Sequence, residues 1–181
     1  MRRVFIPVTV VLLLFGIRGC SEFMLVPISP QEARRQVMDV ARQVVADLGG
    51  EVTDATFSYD SCSDLGGPPF RGHVDMGLWM PGADRTRTVP AASVLDRFGQ
   101  HGWQTDPDFH SHAVTYQRHG VDVNVWVIPP ADSNQPSNGG PGAHVSIDVL
   151  GPCRDTHDHR DDTGWAEGEN VKNELTSRPP G

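Results

Sequence analysis

The chain has 181 residues, with 15 Lys and Arg against 23 Asp and Glu and a formal net charge of −8. This length allows one domain of ordinary size with tails, and a hydrophobic content of 38% is enough to bury a core. The acidic balance argues against a nucleic-acid partner, because a nucleic-acid surface needs clustered Lys and Arg to neutralise phosphates.

The beginning of the chain has the organisation of a secretory signal peptide. Arg2 and Arg3 precede an apolar run from Val4 to Phe15, and small residues follow. A basic start, a short apolar core and a small residue at the end are typical of an export signal. The run is too short for an ordinary transmembrane helix, which needs about 20 apolar residues. We therefore predict a signal peptide over residues 1–19 and a tether over residues 20–28.

The end of this signal resembles the bacterial lipoprotein signal. Ile17, Gly19 and Cys20 match its branched, small and cysteine positions, whereas Arg18 stands where a small uncharged residue is usual. The resemblance implies cleavage after Gly19 and diacylation of the Cys20 thiol, and two acyl chains hold a protein stably at a membrane. The alternatives are an ordinary signal peptide or an uncleaved N-terminal anchor, with Cys20 incidental.

The segment 29–153 reads as one α+β domain. Ser29-Pro30-Gln31-Glu32 is a capping box that opens a helix, which Gly49-Gly50 ends, and a second helix is expected between about Pro90 and Gly102. Alternating apolar residues predict five strands, at 53–59, 71–80, 113–118, 121–128 and 143–150, with a further short strand starting at Trp103. Short turns between them, such as His119-Gly120, favour an antiparallel sheet with both helices on one face.

The remaining segment, 154–181, has no sustained apolar period and is rich in Asp, Glu and Gly. Such a composition lacks the apolar surface that offsets the entropy of ordering a chain. We predict that this acidic tail is disordered.

Two cysteines remain once Cys20 is assigned to the lipid. Cys62 and Cys153 follow strand-like runs, and a pair of cysteines in an exported chain most simply forms a disulfide. The alternative is a pair of free thiols that bind a metal beside nearby histidines.

The pattern from Cys62 to Cys153 resembles small actinobacterial lipoproteins, including the mycobacterial LppA-like group. It consists of a cysteine before a polar loop, a strand, a helix ending in Phe98-Gly99-Gln100-His101-Gly102-Trp103, a hairpin and a last strand into the second cysteine. The resemblance implies a lipidated Cys20, paired Cys62 and Cys153, and a surface lipoprotein. No catalytic residue follows from it.

Eight histidines raise the question of a metal site. His110 and His112 would share one face of a strand, and His157 and His159 lie among aspartates, so both pairs are weak candidates for zinc, nickel or copper. No third ligand is fixed by spacing, and surface loops or a solvated acidic tail explain the same residues. We expect neither a resident metal nor another cofactor.

Function follows from what the sequence contains and lacks. It has no nucleophile elbow, no Ser-x-x-Lys pair and no His-Glu-x-x-His helix. Trp79 and Trp126 would lie on the sheet face away from the helices and are candidates for a ligand groove, although tryptophans packed under loops give the same pattern. We predict a non-enzymatic, lipid-anchored module that binds an envelope protein or a small ligand. The alternative is a secreted hydrolase or metal-dependent enzyme that uses the histidine-rich segments.

Overall fold

The computed structural model describes residues 26–105, 113–128, 142–165 and 167–177. These residues form a sheet with helices packed on one face. The helices are α1 (Pro30–Leu48), α2 (Ala91–Gln100) and α3 (Lys172–Thr176), and a 3-10 turn covers His159–Asp161. The strands are β1 (Glu51–Ser61), β2 (Phe70–Trp79), β3 (Gln104–Thr105), β4 (Val114–Arg118), β5 (Val121–Val127), β6 (Val145–Leu150) and β7 (Glu169–Asn170).

The sheet has the strand order β3-β4-β5-β6-β2-β1-β7, and every pairing among these described strands is antiparallel. The predicted β4–β5 hairpin is present. His119 and Gly120 form its two-residue turn with φ values of 55° and 75°, which is the left-handed backbone that tight hairpins require. The α+β class is confirmed, and all five predicted strands are observed.

Helix α1 begins and ends as its sequence indicates. The Ser29 side chain accepts the backbone N–H of Glu32 at 3.2 Å, and Pro30 occupies the first helical position. Gly49 closes the helix in the left-handed conformation, with φ of 62°, and its N–H donates to the carbonyl of Val45 at 3.0 Å. These caps satisfy backbone groups that the helix itself leaves unpaired.

The core lies between α1 and the middle of the sheet. The apolar stripe of α1 packs over β2 and β6, where Val37, Val44, Met76 and Ile147 are fully buried. Gly72 of β2 makes this contact close, because a Cβ there would lie 2.8 Å from the Ala33 carbonyl oxygen. A side chain at this position would push the helix away from the sheet.

The predicted disorder of the tail is wrong for the part of it that the structure describes. Strand β7 pairs with β1, and the Val171 N–H donates to the carbonyl of Ala55 at 3.0 Å. Val171 and Leu175 are buried in the same core as α1. The folded domain therefore extends beyond Cys153 to about Ser177. The short strand predicted to start at Trp103 is present as β3. With β7 the sheet has seven strands where about five were predicted, and α3 adds a third helix.

The predicted disulfide between Cys62 and Cys153 is present, with Cα atoms 6.0 Å apart. It joins the loop after β1 to the segment after β6 and closes 91 residues of chain. The alternative of two free thiols that bind a metal does not fit this bond.

Several predictions fall on residues outside the described ranges. These are the signal peptide at 1–19, Cys20 and the first part of the tether, the histidines His110 and His112, and residues 178–181. Within the described ranges, none of the helices combines the length and hydrophobicity that crossing a bilayer requires.

Candidate functional site

The segment after the disulfide, residues 154–177, is called the C-terminal segment below. It is fixed to the domain at Asp155, whose backbone forms isolated β-bridges with both Ile28 and Phe70. The Phe70 N–H donates to the Asp155 carbonyl at 2.6 Å, and the Asp155 N–H donates back to the Phe70 carbonyl at 3.0 Å. Cys153, two residues earlier, is bonded to Cys62. The start of the C-terminal segment is therefore held at two nearby points.

His159 and Asp155 are the two buried ionisable residues among the described residues of the C-terminal segment. The His159 side chain is 1% exposed, and its ring stacks on Tyr59 of β1 with centroids 3.7 Å apart. Its Nε2 lies 2.8 Å from Asp155 Oδ2, and its Nδ1 lies 2.7 Å from Asp162 Oδ2. Both ring nitrogens thus face carboxylate oxygens.

His157 joins the same group from the solvent side. Its Nε2 lies 3.1 Å from Asp162 Oδ1, so the two oxygens of Asp162 contact two different histidines. The hydrogen bond to Asp162 raises the pKa of His157. The contacts with His157 and His159 lower the pKa of Asp162. Donor atoms of His157, His159 and Asp162 all lie within 4.8 Å of one another.

A cleft of about 410 Å³ lies beside this group, between β1 and the C-terminal segment. Its lining includes aromatic and acidic side chains, among them Tyr59, Asp162, Trp165, Glu167 and Glu169. Among the described residues that line it, none is Lys, Arg or His. The cleft therefore offers carboxylates and aromatic surface together.

The wall of the cleft depends on a glycine at position 168. Gly168 has φ of 69°, and a Cβ there would lie 2.5 Å from Thr56 Cγ2 and 3.1 Å from the Phe57 carbonyl oxygen. An L side chain would be strained by the backbone conformation and would collide with β1. Glycine thus allows the C-terminal segment to turn directly against the strand.

The acidic groups around the cleft differ in their partners. Glu169 forms an ion pair with Arg34 of α1 at 3.2 Å, and Arg34 also binds Glu174 at 2.8 Å. Asp162 contacts His157 and His159. Glu167 is exposed and forms no ion pair with a described residue, so its charge faces the cleft and solvent.

A second polar group lies on the open face of the sheet, opposite the helices. We call Asp60, His73, Asp75 and Asp148 the His73 cluster; they come from β1, β2 and β6. His73 Nδ1 lies 2.7 Å from Asp60, and its Nε2 lies 3.6 Å from Asp148. The second distance is too long for a hydrogen bond, and Nε2 makes no hydrogen bond to any described residue.

The His73 cluster shifts the ionisation of its members. Burial alone would lower the pKa of His73, but the carboxylates of Asp148 and Asp60 outweigh it and raise this pKa to about 9. Loss of hydration and the neighbouring Asp148 charge raise the pKa of Asp75 to about 6. The attraction of His73 to Asp60 and Asp148 stabilises this cluster, whereas Asp75 and Asp148 repel each other. We interpret the cluster as a contribution to the stability of the sheet.

The two tryptophans predicted to line a ligand groove share one face of the sheet. Trp79 and Trp126 both lie on the face away from the helices, as expected, on strands β2 and β5 that β6 separates. Trp79 packs its edge against His144 with ring centroids 4.5 Å apart. Their role in ligand binding stays a prediction. Trp103, in contrast, is a core residue whose Nε1 donates to Asp47 at 2.8 Å.

The structure brings His157 and His159 together but adds partners that the sequence reading missed. In the sequence, Asp155 and Asp162 belong to the predicted disordered tail, and no pattern connects Tyr59 or Trp165 with the two histidines. A usable signal was present in the spacing Asp155-x-His157-x-His159-x-x-Asp162. It could not be interpreted without knowing that the first aspartate and second histidine are buried.

Comparison with known proteins identifies relatives of the whole domain. The family model described as "Putative lipoprotein LppJ" matches residues 29–174. Proteins of that description from two strains of Mycobacterium tuberculosis and from Mycobacterium bovis are 29% identical over 152 residues, which is 82% of this chain and 72% of theirs. No solved structure matches. The match extends through the C-terminal segment to α3, which agrees with its place in the fold.

Proposed function

This chain belongs to the LppJ family of lipoproteins, and we propose that it is a non-enzymatic binding module held by a diacylated Cys20 at the extracytoplasmic face of the cell membrane. The resemblance to small actinobacterial lipoproteins is confirmed by this membership, and a lipoprotein of this family is an exported, membrane-associated protein of the cell envelope. Ile28, the first residue of the described fold with a β-bridge, lies eight positions after Cys20. Eight steps of extended chain span at most about 28 Å, so the domain stays close to the lipid surface.

The proposed ligand is an organic cation, such as a molecule that carries an ammonium group. The observation that carries this proposal is the cleft itself, in which Trp165 and Tyr59 stand beside Asp162, Glu167 and Glu169. Aromatic faces attract cations through the negative charge of their π electrons, and carboxylates add a direct charge attraction. A volume of about 410 Å³ suits a small molecule or a single side chain of a partner.

The absence of catalytic motifs in the sequence supports binding in preference to catalysis. The sequence contains none of the serine, lysine or zinc-protease signatures that place a nucleophile or activated water. Binding of a cation by the cleft needs no such group, because aromatic and carboxylate side chains are sufficient for it.

Isothermal titration of the full processed protein in detergent tests this proposal. Choline is the probe, and 3,3-dimethylbutan-1-ol, which has the same shape without the charge, is its control. We expect choline to bind and the neutral alcohol to bind at least tenfold more weakly. Glu167→Gln should weaken choline binding by about fivefold, on the order of 1 kcal/mol.

A matched control keeps the result specific to the cleft. Glu51→Gln makes the same change at an exposed position whose partner is Arg85, and it should leave choline binding unchanged. Equal binding of choline and the neutral alcohol would contradict a cation site. Failure of both to bind would contradict the assignment of the cleft.

A further inference from the structure

We propose that His157, His159 and Asp162 form a binding site for a divalent transition metal, with Zn²⁺ the expected ion. Histidine nitrogens and carboxylate oxygens are the ligands that zinc takes in proteins. The proposal does not rest on the organic ligand of the neighbouring cleft, although Asp162 contributes to both.

The distances suit a metal ion of this size. Zinc binds nitrogen and oxygen at about 2.0–2.2 Å, so tetrahedral ligand atoms lie about 3.4 Å from one another. The Asp162 oxygens are 2.7 Å from His159 Nδ1 and 3.1 Å from His157 Nε2, and all three donor groups fall within 4.8 Å. Small side-chain rotations of His157 and Asp162, which are both about half exposed, are enough to admit the ion.

Asp155 prepares His159 as a ligand. Its side chain is 1% exposed, its Oδ1 accepts the backbone N–H of His157 at 2.9 Å, and its Oδ2 faces His159 Nε2 at 2.8 Å. A carboxylate that accepts the N–H of one ring nitrogen directs the lone pair of the other toward the metal, and this arrangement is the usual support of zinc-bound histidine. Here the other nitrogen is Nδ1, which points at Asp162.

The lone pair of His159 Nδ1 therefore faces the Asp162 Oδ2 atom, which is also an electron-pair donor, at 2.7 Å. A proton or a metal ion satisfies that contact, and His157 favours the metal because its Nε2 meets the second oxygen of the same carboxylate. The ring of His159 is also held by stacking on Tyr59 and by an edge contact with Phe70 at 5.1 Å. One rigid ligand and two adjustable ones leave an open side toward the cleft and solvent.

Metal analysis of the full processed protein in detergent is the test. After loading with Zn²⁺ and dialysis, we expect one equivalent of zinc per chain, and Co²⁺ in its place should give the visible absorption of a four-coordinate ion. His157→Gln, at an exposed position, should lower zinc affinity at least tenfold while near-ultraviolet circular dichroism shows the fold unchanged. Asp155→Asn should lower it by about 10–100-fold, and the exposed His157 variant decides the matter if Asp155→Asn fails to fold.

Two controls separate this site from the other histidines. The double variant His110→Gln, His112→Gln and the hairpin variant His119→Gln should both keep one equivalent of zinc. Zinc binding that survives His157→Gln but is lost in the double variant would overturn the proposal, as would a chain that holds no zinc after dialysis.

The same variants distinguish this site from the cation cleft. Glu167→Gln should leave zinc stoichiometry unchanged, and His157→Gln should leave choline binding by the metal-free protein unchanged. Zinc should weaken choline binding, because its positive charge then lies at the shared Asp162. Zinc binding without any choline binding would contradict the proposed ligand of the cleft and leave the metal site intact.

Discussion

Tyr59 and His159 stack face to face, with ring centroids 3.7 Å apart and planes inclined by 7°. The Tyr59 hydroxyl also donates to the Pro30 carbonyl at 2.9 Å, so one side chain joins the start of α1, the strand β1 and the C-terminal segment. Burial and the nearby charge of Asp155 raise the pKa of Tyr59 to about 12, which keeps it neutral at physiological pH. The C-terminal segment is therefore an integral part of the domain. Both candidate sites form where this segment packs against β1.

The first prediction concerns the contribution of α3 to stability. Leu175 is 5% exposed within the main core, so Leu175→Ala should lower the free energy of unfolding by about 2–3 kcal/mol. Asn173→Ala on the exposed side of the same helix should change it by less than about 0.5 kcal/mol. Urea unfolding of the chain from residue 21 to 181 measures both. Equal, negligible effects would mean that α3 does not pack as described.

The main domain could be predicted from sequence because its elements carry strong local signals. Helix α1 has a capping residue, a regular apolar stripe and a terminal glycine, and the β4–β5 hairpin has alternating valines with a Gly turn. In the C-terminal segment the buried residues are few and far apart, namely Asp155, His159, Val171 and Leu175. Two of them are ionisable and are held by hydrogen bonds. Such bonds leave no periodic pattern of apolar residues in the sequence.

The candidate sites were harder to predict for the same reason. Pairing of Cys62 with Cys153 followed from compartment and number, whereas the cleft requires β1 and the C-terminal segment to meet. That contact is between residues about 100 positions apart, and strand β7 contributes two residues to it. The sequence marks His157 and His159 as candidate metal ligands, whereas the contacts of Asp155 and Asp162 with them follow only from the fold.

The disulfide should be a major source of stability. A bridge that closes 91 residues restricts the unfolded chain and is worth about 4–5 kcal/mol by the loop-entropy relation. Cys62→Ser and Cys153→Ser should each lower the free energy of unfolding by about that amount, and the double variant should lose no more than either single variant. Additive losses would show that the two cysteines act separately, which the bond does not allow.

The His73 cluster predicts a dependence of stability on pH. The folded-state pKa of His73 is about 9, against an ordinary value of 6.5, so the folded protein holds this proton more tightly than the unfolded chain does. The resulting stabilisation is complete below about pH 6.5 and disappears as pH rises through about 9. Between pH 7 and 9.5 the loss should be on the order of 2–3 kcal/mol, above the range where Asp75 titrates.

The control for this effect is His73→Gln, measured by urea unfolding across the same pH range. This variant should be less stable than the unmodified chain at pH 7, and the difference should shrink toward pH 9.5. His119→Gln on the hairpin turn should leave the pH profile as it is. A stability difference that stays constant with pH would contradict the charge interactions of His73 with Asp60 and Asp148.

Lipidation of Cys20 predicts how the protein partitions. The wild-type protein should enter the detergent phase after processing and lipidation, because two acyl chains anchor a protein stably. Cys20→Ser should remain unprocessed and carry no lipid label when cells are grown with a radioactive fatty acid. Label retained by Cys20→Ser would place the lipid on another residue. If both forms remained equally membrane-bound and unprocessed, Arg18 would have blocked the signal and the segment would be a plain anchor.

The central claim is that the C-terminal segment folds onto β1 and builds the candidate sites there. Amide hydrogen exchange at Val171, whose N–H donates to Ala55, measures this most directly in the chain from residue 21 to 181. We expect Val171 to be protected to a degree comparable with Phe70, whose N–H is held by Asp155, since both open with the folded domain. Exchange of Val171 at the rate of an unstructured peptide, with Phe70 still protected, would contradict the account.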